Sequence, residues 1–397
     1  MSARREILPV FIPHLGCAHA CVFCNQSAIT DRDAENALRA LDELLSSCTP
    51  CGAGYDTRCE NSPTGKQDGS RQGRELAFYG GSFTAIPPEQ QLVYLEKAKK
   101  ALDAGLIASV RLSTRPDAID AETLDRLRRY GVATVELGAQ SMQDEVLRMS
   151  GRGHTAGDVR RAAQCIREAG FSLGLQMMTG LPGDDDEGAL RTARELIRLR
   201  PDFVRIYPTV IVRGTALERL WREGSYREHT VEDAVRVCSR LLPLFREAGI
   251  PVIRLGLNPT DRLSSGDALA GAYHPALGEL VYSRILRNRM EDLLSSLACA
   301  GREVEILVPP ARLSQAIGQK KSNLIWLADR FRLASLRIRP ATEDSQVDDS
   351  LFVSFISAAQ KSPCEVETPL PRSGRNLYSG AVPSNCNLYL ENRHLIW

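Results

Sequence analysis

No run of apolar residues in this sequence approaches the roughly 18 needed to cross a bilayer, which excludes a membrane-spanning helix. Neither sign of charge is in excess: 50 Lys and Arg stand against 49 Asp and Glu, a formal net charge of +1. Such neutrality excludes a chain-wide electrostatic footprint for nucleic acid or a membrane surface and leaves only local basic patches. We expect no export signal either, because Pro9 and Pro13 confine the apolar stretch near the start to a few positions. No internal repeat marks the 397 residues, enough for one large catalytic domain and a small appendage. We therefore expect a cytoplasmic location without membrane attachment. Eleven cysteines in such a chain suit a reducing compartment, where grouped thiols hold metals more often than they pair.

The most telling shortage is of one ligand. The stretch HLGCAHACVFC (residues 14–24) sets Cys17, Cys21 and Cys24 at spacings of three and two intervening residues, with no fourth cysteine nearby. A closed structural metal site takes four ligands. Zinc would need His14 or His19 to complete a tetrahedron, and both flank the cysteines too closely. A cubane iron–sulfur cluster has four irons and takes Cys thiolates as ligands, so three thiolates leave one iron open for a reactant. A second group, Cys48, Cys51 and Cys59, lies in the polar, Gly- and Ser-rich insertion 46–75 and also lacks a fourth partner. We read that insertion as a surface loop with incidental thiols.

From Ile7 to Arg254 apolar β-branched runs alternate with amphipathic segments. The runs EILPVFI, ELAFYG, ASVRLST, VATVELG, FSLGLQMMTG, DFVRIYP and PVIRLG read as strands. Segments such as EQQLVYLEKAKKALDAG, AETLDRLRRYG and HTAGDVRRAAQCIREAG read as helices, each closed by a Gly that suits a C-cap. This alternation predicts an α/β fold with a parallel sheet and right-handed crossovers. Six or seven strands predict a partial (β/α) TIM-like barrel, with its chemistry at the carboxyl ends of the strands. The cysteine stretch follows the first strand and so belongs on that rim.

The CxxxCxxC spacing of Cys17, Cys21 and Cys24 resembles the signature of the radical SAM superfamily. That resemblance implies a [4Fe–4S] cluster whose open iron chelates S-adenosyl-L-methionine. Reductive cleavage then yields a 5′-deoxyadenosyl radical, with the electron coming from a donor such as flavodoxin or ferredoxin. Phe23 stands at the family's aromatic position near the adenine, where ordinary loop packing is its other role. YGGSFTAIP resembles the glycine motif that holds the methionine amino group, which implicates Gly80, Gly81 and Ser82. In VELGAQSMQDEVLRMSGRGHT, Gln140 suits ribose hydroxyls and Arg152 suits a carboxylate clamp. Gln176, in LGLQMMTGLPGD, places an amide inside the barrel.

These stretches, with RIYPTVIVRGTALE, resemble the branch holding the Elongator catalytic subunit and the oxygen-independent coproporphyrinogen oxidase, the Elongator side more closely, over about residues 7–260. The branch usually has Glu where LSTRPD places Ser113. Arg115 keeps the RPD pattern, with substrate or cofactor contact and a structural ion pair as its two roles. After the barrel the chain lacks the pattern of the Elongator acetyltransferase domain, so carboxymethylation by that route is not expected.

Beyond 258 the pattern changes, and we expect a small α+β module over 259–340 and an irregular tail over 341–397. AIGQKKSNLIWLADRF resembles a KH module, whose GxxG loop grips nucleic-acid backbone between two helices. Gly318, Gln319, Lys320 and Lys321 stand in that position, with Lys321 replacing the second Gly. Gly318, Lys320 and Lys321 are thus the candidate RNA contacts. Tyr207 and His274 are candidates for work on the substrate, with Arg213 and Glu279 beside them. Three functions fit these features: a radical enzyme acting on tRNA or another RNA, one acting on a small molecule such as a tetrapyrrole, and a metal-dependent RNA-binding module without catalysis.

Overall fold

The computed structural model describes residues 6–12, 21–24, 34–48, 73–257, 263–341, 352–356 and 388–389. The chain divides into two compact units, Met1–Pro275 and Ala276–Trp397.

The first unit is the α/β layer that the alternating pattern predicts. In chain order it holds β1 (Glu6–Ile12), α1 (Ala34–Ser46), β2 (Arg74–Gly80), α2 (Pro88–Asp103), β3 (Ser109–Thr114) and α3 (Ala121–Arg129). Then come β4 (Val132–Gln140), α4 (Asp144–Met149), α5 (Ala156–Glu168), β5 (Ser172–Thr179), α6 (Asp186–Arg198) and β6 (Phe203–Pro208). A short β7 (Val210–Val212), α7 (Ala216–Arg222), α8 (Val231–Glu247), β8 (Val252–Leu255) and β9 (Ala268–Gly271) complete it. Seven strands in the order β1-β2-β3-β4-β5-β6-β8 form one sheet, and every neighbouring pair is parallel. With helices as crossovers, the sheet curls into a partial barrel and brings its carboxyl strand ends to one rim.

Local chemistry sets the ends of the helices. Asp120 caps α3 by accepting from the Thr123 amide, and Thr155 with Asp158 and Thr230 with Asp233 form capping boxes on α5 and α8. The glycines expected to close α3 and α5, Gly131 and Gly170, have φ of +78° and +81°, which only Gly adopts without a Cβ penalty. On the helix-facing side of the sheet, Leu76, Phe78, Leu112, Val135, Leu137, Leu175 and Ile206 are buried, each contributing about 2 kcal/mol of transfer free energy. Helices α5 and α6 pack on β5, and α1 on β1.

The opposite, concave face is not apolar. Glu136 on β4 accepts from Arg205 Nε on β6 at 2.7 Å and from Arg111 Nη1 on β3 at 3.0 Å. Arg111 also pairs with Glu75 on β2, and the Tyr79 hydroxyl accepts from Arg205 Nη2 at 2.8 Å. Burial pushes the Tyr79 phenol up to about 12, with the Glu136 charge adding to it. The sequence reading missed this network. Its signal was a charged residue at alternate positions within strands whose other positions are apolar.

Several expectations change. The pair β7–β9 is an antiparallel ribbon outside the main sheet, and the periodic reading did not anticipate it. Three residues are too short a run to register a period against the stronger signal of β6. Residues 263–275 belong with the first unit, whereas a boundary at 258 was expected. The insertion begins after α1 rather than within it. Cys48 lies two residues beyond α1, its Sγ donating to the Leu44 carbonyl at 3.2 Å, while Cys51 and Cys59 lie outside the described residues.

The second unit holds α9 (Leu277–Ser295), β10 (Glu303–Val308), α10 (Leu313–Ile317), α11 (Ser322–Phe331), β11 (Ser335–Pro340), β12 (Phe352–Ile356) and β13 (Leu388–Tyr389). Strand β10 runs parallel to β11 and antiparallel to β12. Met290, Leu293, Val304, Ile306, Leu327 and Val353 form its core. The tail is therefore not wholly irregular. FVSFI alternates so that Val353 pairs with Ile306 and fills that core, and the five-residue run was masked in sequence by the polar stretches around it.

Glu136→Gln removes the carboxylate that Arg111, Arg205 and Tyr79 share, leaving buried cations undercompensated. We expect a loss of about 3 kcal/mol in unfolding free energy, read from the urea midpoint at unchanged slope. A loss below about 1 kcal/mol would put this network in the class of surface ion pairs and contradict its buried role.

Candidate active site at the carboxyl rim

The turn Cys21–Cys24 closes on itself, the Cys24 amide donating to the Cys21 carbonyl at 3.1 Å. Neighbouring elements hold it from both sides. The Val22 amide donates to the Ser150 carbonyl at the end of α4 at 3.1 Å, and the Val22 carbonyl accepts from the Leu217 amide in the first turn of α7 at 2.7 Å. Phe23 packs against two apolar clusters, one of Val146, Met178 and Leu181 and one of Ile211, Leu217 and Tyr226. Its packing role is therefore realised. Cys17, with His14 and His19, lies outside the described residues. Among the described residues no group of three His, Cys, Asp or Glu side chains could hold a metal ion. The described part of the chain thus supplies two thiols in one turn and no carboxylate or imidazole to close a cage around them. Soft thiol donors of this kind suit an iron–sulfur cluster.

Beside the turn stands Arg152, buried to 7% exposure between Gly151 and Gly153, whose φ values are +64° and +74°. These two left-handed glycines fold the GRG segment back on itself and turn the guanidinium inward. Arg152 Nη2 donates to the Gly138 carbonyl at 2.7 Å and Nη1 to Cys21 Sγ at 3.3 Å. Its own carbonyl accepts from Arg115 Nη2 at 2.7 Å, and Arg115 forms a two-pronged pair with Asp117 at 2.9 and 2.8 Å. Burial pushes the Asp117 carboxyl up, and Arg115 more than cancels it, leaving it below its usual range. Of the two roles read for Arg115, the structure displays the ion pair.

Gln140 closes β4 with φ of +65°, a left-handed conformation in a buried non-glycine residue, just after a register irregularity beside β5. Such strain costs on the order of 1–3 kcal/mol and collects at ligand sites. Gln140 Oε1 accepts from Gln176 Nε2 at 3.2 Å, so the two amides meet across β4 and β5. A Cβ on Gly138 would come within 2.8 Å of the Gln140 amide and 3.2 Å of Arg152, which keeps that position open. Gly80 ends β2 with φ of +98°, followed by Gly81 and the buried Ser82. Ser113 lies on β3 opposite Glu136 in register. Tyr207 on β6 packs against the same Met178 cluster as Phe23. Arg213 is held by Asp267, its amide donating to the Asp267 carbonyl at 2.9 Å. His274 lies two residues beyond Ala272, whose amide donates to the Thr209 carbonyl at 3.1 Å, near the exit of β6.

Two histidines that the sequence reading passed over also belong to this rim. His154 Nε2 donates to the Ala139 carbonyl at 3.2 Å, and burial, with the Arg152 charge, lowers its pKa to about 4. His229 Nε2 meets Thr179 Oγ1 at 3.1 Å beside a cavity of about 530 Å³ lined by Gly180, Asp184 and Tyr226, and burial lowers it to about 4 as well. Their signal was positional: each stands in a polar stretch between a short helix and the capped start of the next helix.

A family model of the radical SAM superfamily matches residues 11–196, and a model of the radical SAM C-terminal domain matches residues 201–287. The chain is similar to the tRNA uridine(34) acetyltransferase of Methanocaldococcus jannaschii, at 29% identity over 185 residues, which are 42% of this chain and 34% of that protein. It is also similar to Elongator complex protein 3 of Homo sapiens, at 30% identity over 190 residues, 43% of this chain and 35% of that one. The match therefore spans about a third of the length of these curated relatives. Among solved structures, the archaeal Methanocaldococcus infernus Elp3 with an N-terminal deletion (1–46) shares the fold at a TM-score of 0.50, with 20% identity, covering 88% of this chain and 74% of that one.

Neutral burial of His154 and His229 makes stability depend on pH. Their folded pKa values of about 4 lie below the ordinary 6.5, so the unfolded chain binds more protons between those limits. The stabilisation present above 6.5 is lost as pH falls toward 4. We expect His229→Gln to remove on the order of 2 kcal/mol of that acid-side loss, measured as urea midpoints across the window. Parallel pH profiles for the variant and the parent would refute the assignment.

Proposed function

Because the chain belongs to the radical SAM superfamily, we propose that it holds a [4Fe–4S] cluster on Cys17, Cys21 and Cys24 and uses S-adenosyl-L-methionine to modify an RNA. The observation that carries this reading is the Cys21–Cys24 turn, fixed at the carboxyl rim through both backbone groups of Val22 and left without a further ligand among the described residues. Cys17, Cys21 and Cys24 would hold the cluster, which would supply the electron for reductive cleavage of S-adenosylmethionine to methionine and a 5′-deoxyadenosyl radical. The chain's own residues bind and orient. Gly80, Gly81 and Ser82 would hold the methionine ammonium, and the strained Gln140 with Gln176 offers amides for the ribose, with Ser113 as a further cofactor contact. Arg115 positions the GRG segment through the Arg152 carbonyl. Tyr207 and His274 are the candidates for work on the substrate. A flavodoxin- or ferredoxin-class donor supplies the electron.

RNA as the substrate class is supported by the printed function of a relative, a tRNA uridine(34) acetyltransferase, and by the second unit. Residues 276–341 carry eleven Lys and Arg against six Asp and Glu, in a chain of net charge +1. Between α10 and α11 the GQKK turn sets Gly318 at φ +78°, Lys320 at +51° and Lys321 at +62°. A Cβ on Gly318 would meet Ser322 Oγ at 2.6 Å and the Asn323 amide at 3.0 Å. Buried Asn323 locks the turn, its Nδ2 donating to the Gln315 and Ala316 carbonyls and to Ser283. Two consecutive lysines are thus held in a fixed, strained turn at a helix start, a geometry suited to phosphate.

Anaerobic incubation with S-adenosylmethionine and dithionite should yield 5′-deoxyadenosine, and a deletion strain should lack one modified nucleoside in its RNA by mass spectrometry. An unchanged nucleoside profile, with tight binding of a porphyrin-like ligand instead, would move the substrate to a small molecule. The Lys320→Ala, Lys321→Ala double variant should weaken RNA binding and reduce the slope of log affinity against log salt by roughly 1 to 2. An unchanged slope would take the turn out of the interface.

A further inference from the structure

The second unit sets arginines over aromatic rings beside its lysine turn. The Arg287 guanidinium lies 4.4 Å from the centre of the Trp326 ring, and that of Arg312 lies 5.7 Å from the centre of the Tyr282 ring. Tyr282 and Arg287 belong to α9, Trp326 belongs to α11, and Arg312 directly precedes α10. Between Tyr282 and Arg287 on α9 stands Ser283, whose carbonyl and Oγ accept from Asn323 Nδ2 at 3.1 and 2.9 Å. Asn323 is the side chain that locks the GQKK turn, so the two pairs flank the point where that turn is anchored to α9. Over the five residues from Tyr282 to Arg287 the helix rises about 7.5 Å.

All four side chains are half-buried, so each guanidinium is backed by a ring and keeps part of its surface in solvent. Trp326 also packs on the core of the unit, which fixes its ring. A guanidinium laid on a ring is a planar cation held in place, and nucleic-acid bases stack on guanidinium planes as they do on aromatic faces. Lys320 and Lys321 stand exposed on the adjoining turn, where phosphate contact is proposed above. Phosphate contacts respond to charge and carry no preference for a base, whereas a stacking surface favours bases that are splayed out of a helix. We propose that Arg287 on Trp326 and Arg312 on Tyr282 are stacking platforms for unpaired bases, so that the second unit takes a single strand of RNA whose phosphates lie on the lysine turn. This deepens the RNA reading above and rests on it.

The test measures binding of the full chain by fluorescence anisotropy to two probes of equal length, a short unstructured RNA strand and an abasic strand with the same backbone. The parent should bind the base-bearing strand about tenfold tighter than the abasic one. Arg287→Lys and Arg312→Lys keep the charge and remove the plane. Their double variant should bring the two affinities together, and its unchanged affinity for the abasic strand would report an intact fold. The Lys320→Ala, Lys321→Ala double variant should weaken both probes alike and leave their ratio standing. Equal affinity of the parent for the two strands, or a preference that survives the arginine-to-lysine changes, would overturn the inference and leave the lysine turn as a phosphate contact only. If the parent binds neither strand, the RNA reading fails, and the inference falls with it.

Discussion

A three-residue spacing of thiols cannot hold its own shape. Cys21–Cys24 is one short turn with a single internal backbone bond, and it stands where it does because Ser150 and Leu217 take both backbone groups of Val22. A net hydrogen bond contributes only about 1 kcal/mol, so the effect here is direction more than stability. The two partners come from opposite sides, one ending α4 and one starting α7, and fix the turn between β4 and β7. Phe23 adds an apolar anchor to the same two regions. Everything else at the rim is arranged around this fixed turn, including the guanidinium that points at it.

The concave face of the sheet is polar. Its ionic part joins Glu75, Arg111, Glu136 and Arg205 across four strands, with Tyr79 among them. Its neutral part shares the same strand levels, with Ser113 opposite Glu136 and Gln176 between Gly138 and Arg205 in register. Ionic groups that satisfy one another have little left to offer a ligand, whereas amides keep hydrogen-bonding capacity. Strain in Gln140 appears at the carboxyl end of β4, where backbone tension is tolerated for binding.

The second unit shows the same economy on a smaller scale. Its apolar residues lie on alternate positions of β10, β11 and β12, and its strained lysine turn is held by a single buried amide, Asn323. Without that lock, two lysines at positive φ would relax to ordinary turn geometry, since each left-handed non-glycine residue costs about 1 kcal/mol or more.

By itself the sequence determined the alternation of strands and helices, the parallel partial barrel and the place of the cysteine stretch after the first strand. Those features follow from local periods and from glycine and capping residues, which act over a few positions and are written in order along the chain. It also marked Gln140, Arg152 and Gln176 as site candidates. Only the tertiary structure decided what those side chains face: Arg152 toward Cys21, Arg115 toward Asp117, and Glu136 into a buried ionic floor. The ribbon β7–β9 and the strand at Phe352–Ile356 were likewise decided by pairing with distant segments. Pairing and charge compensation join residues far apart in the chain, through bonds whose partners no local pattern names, so only the folded arrangement could assign them.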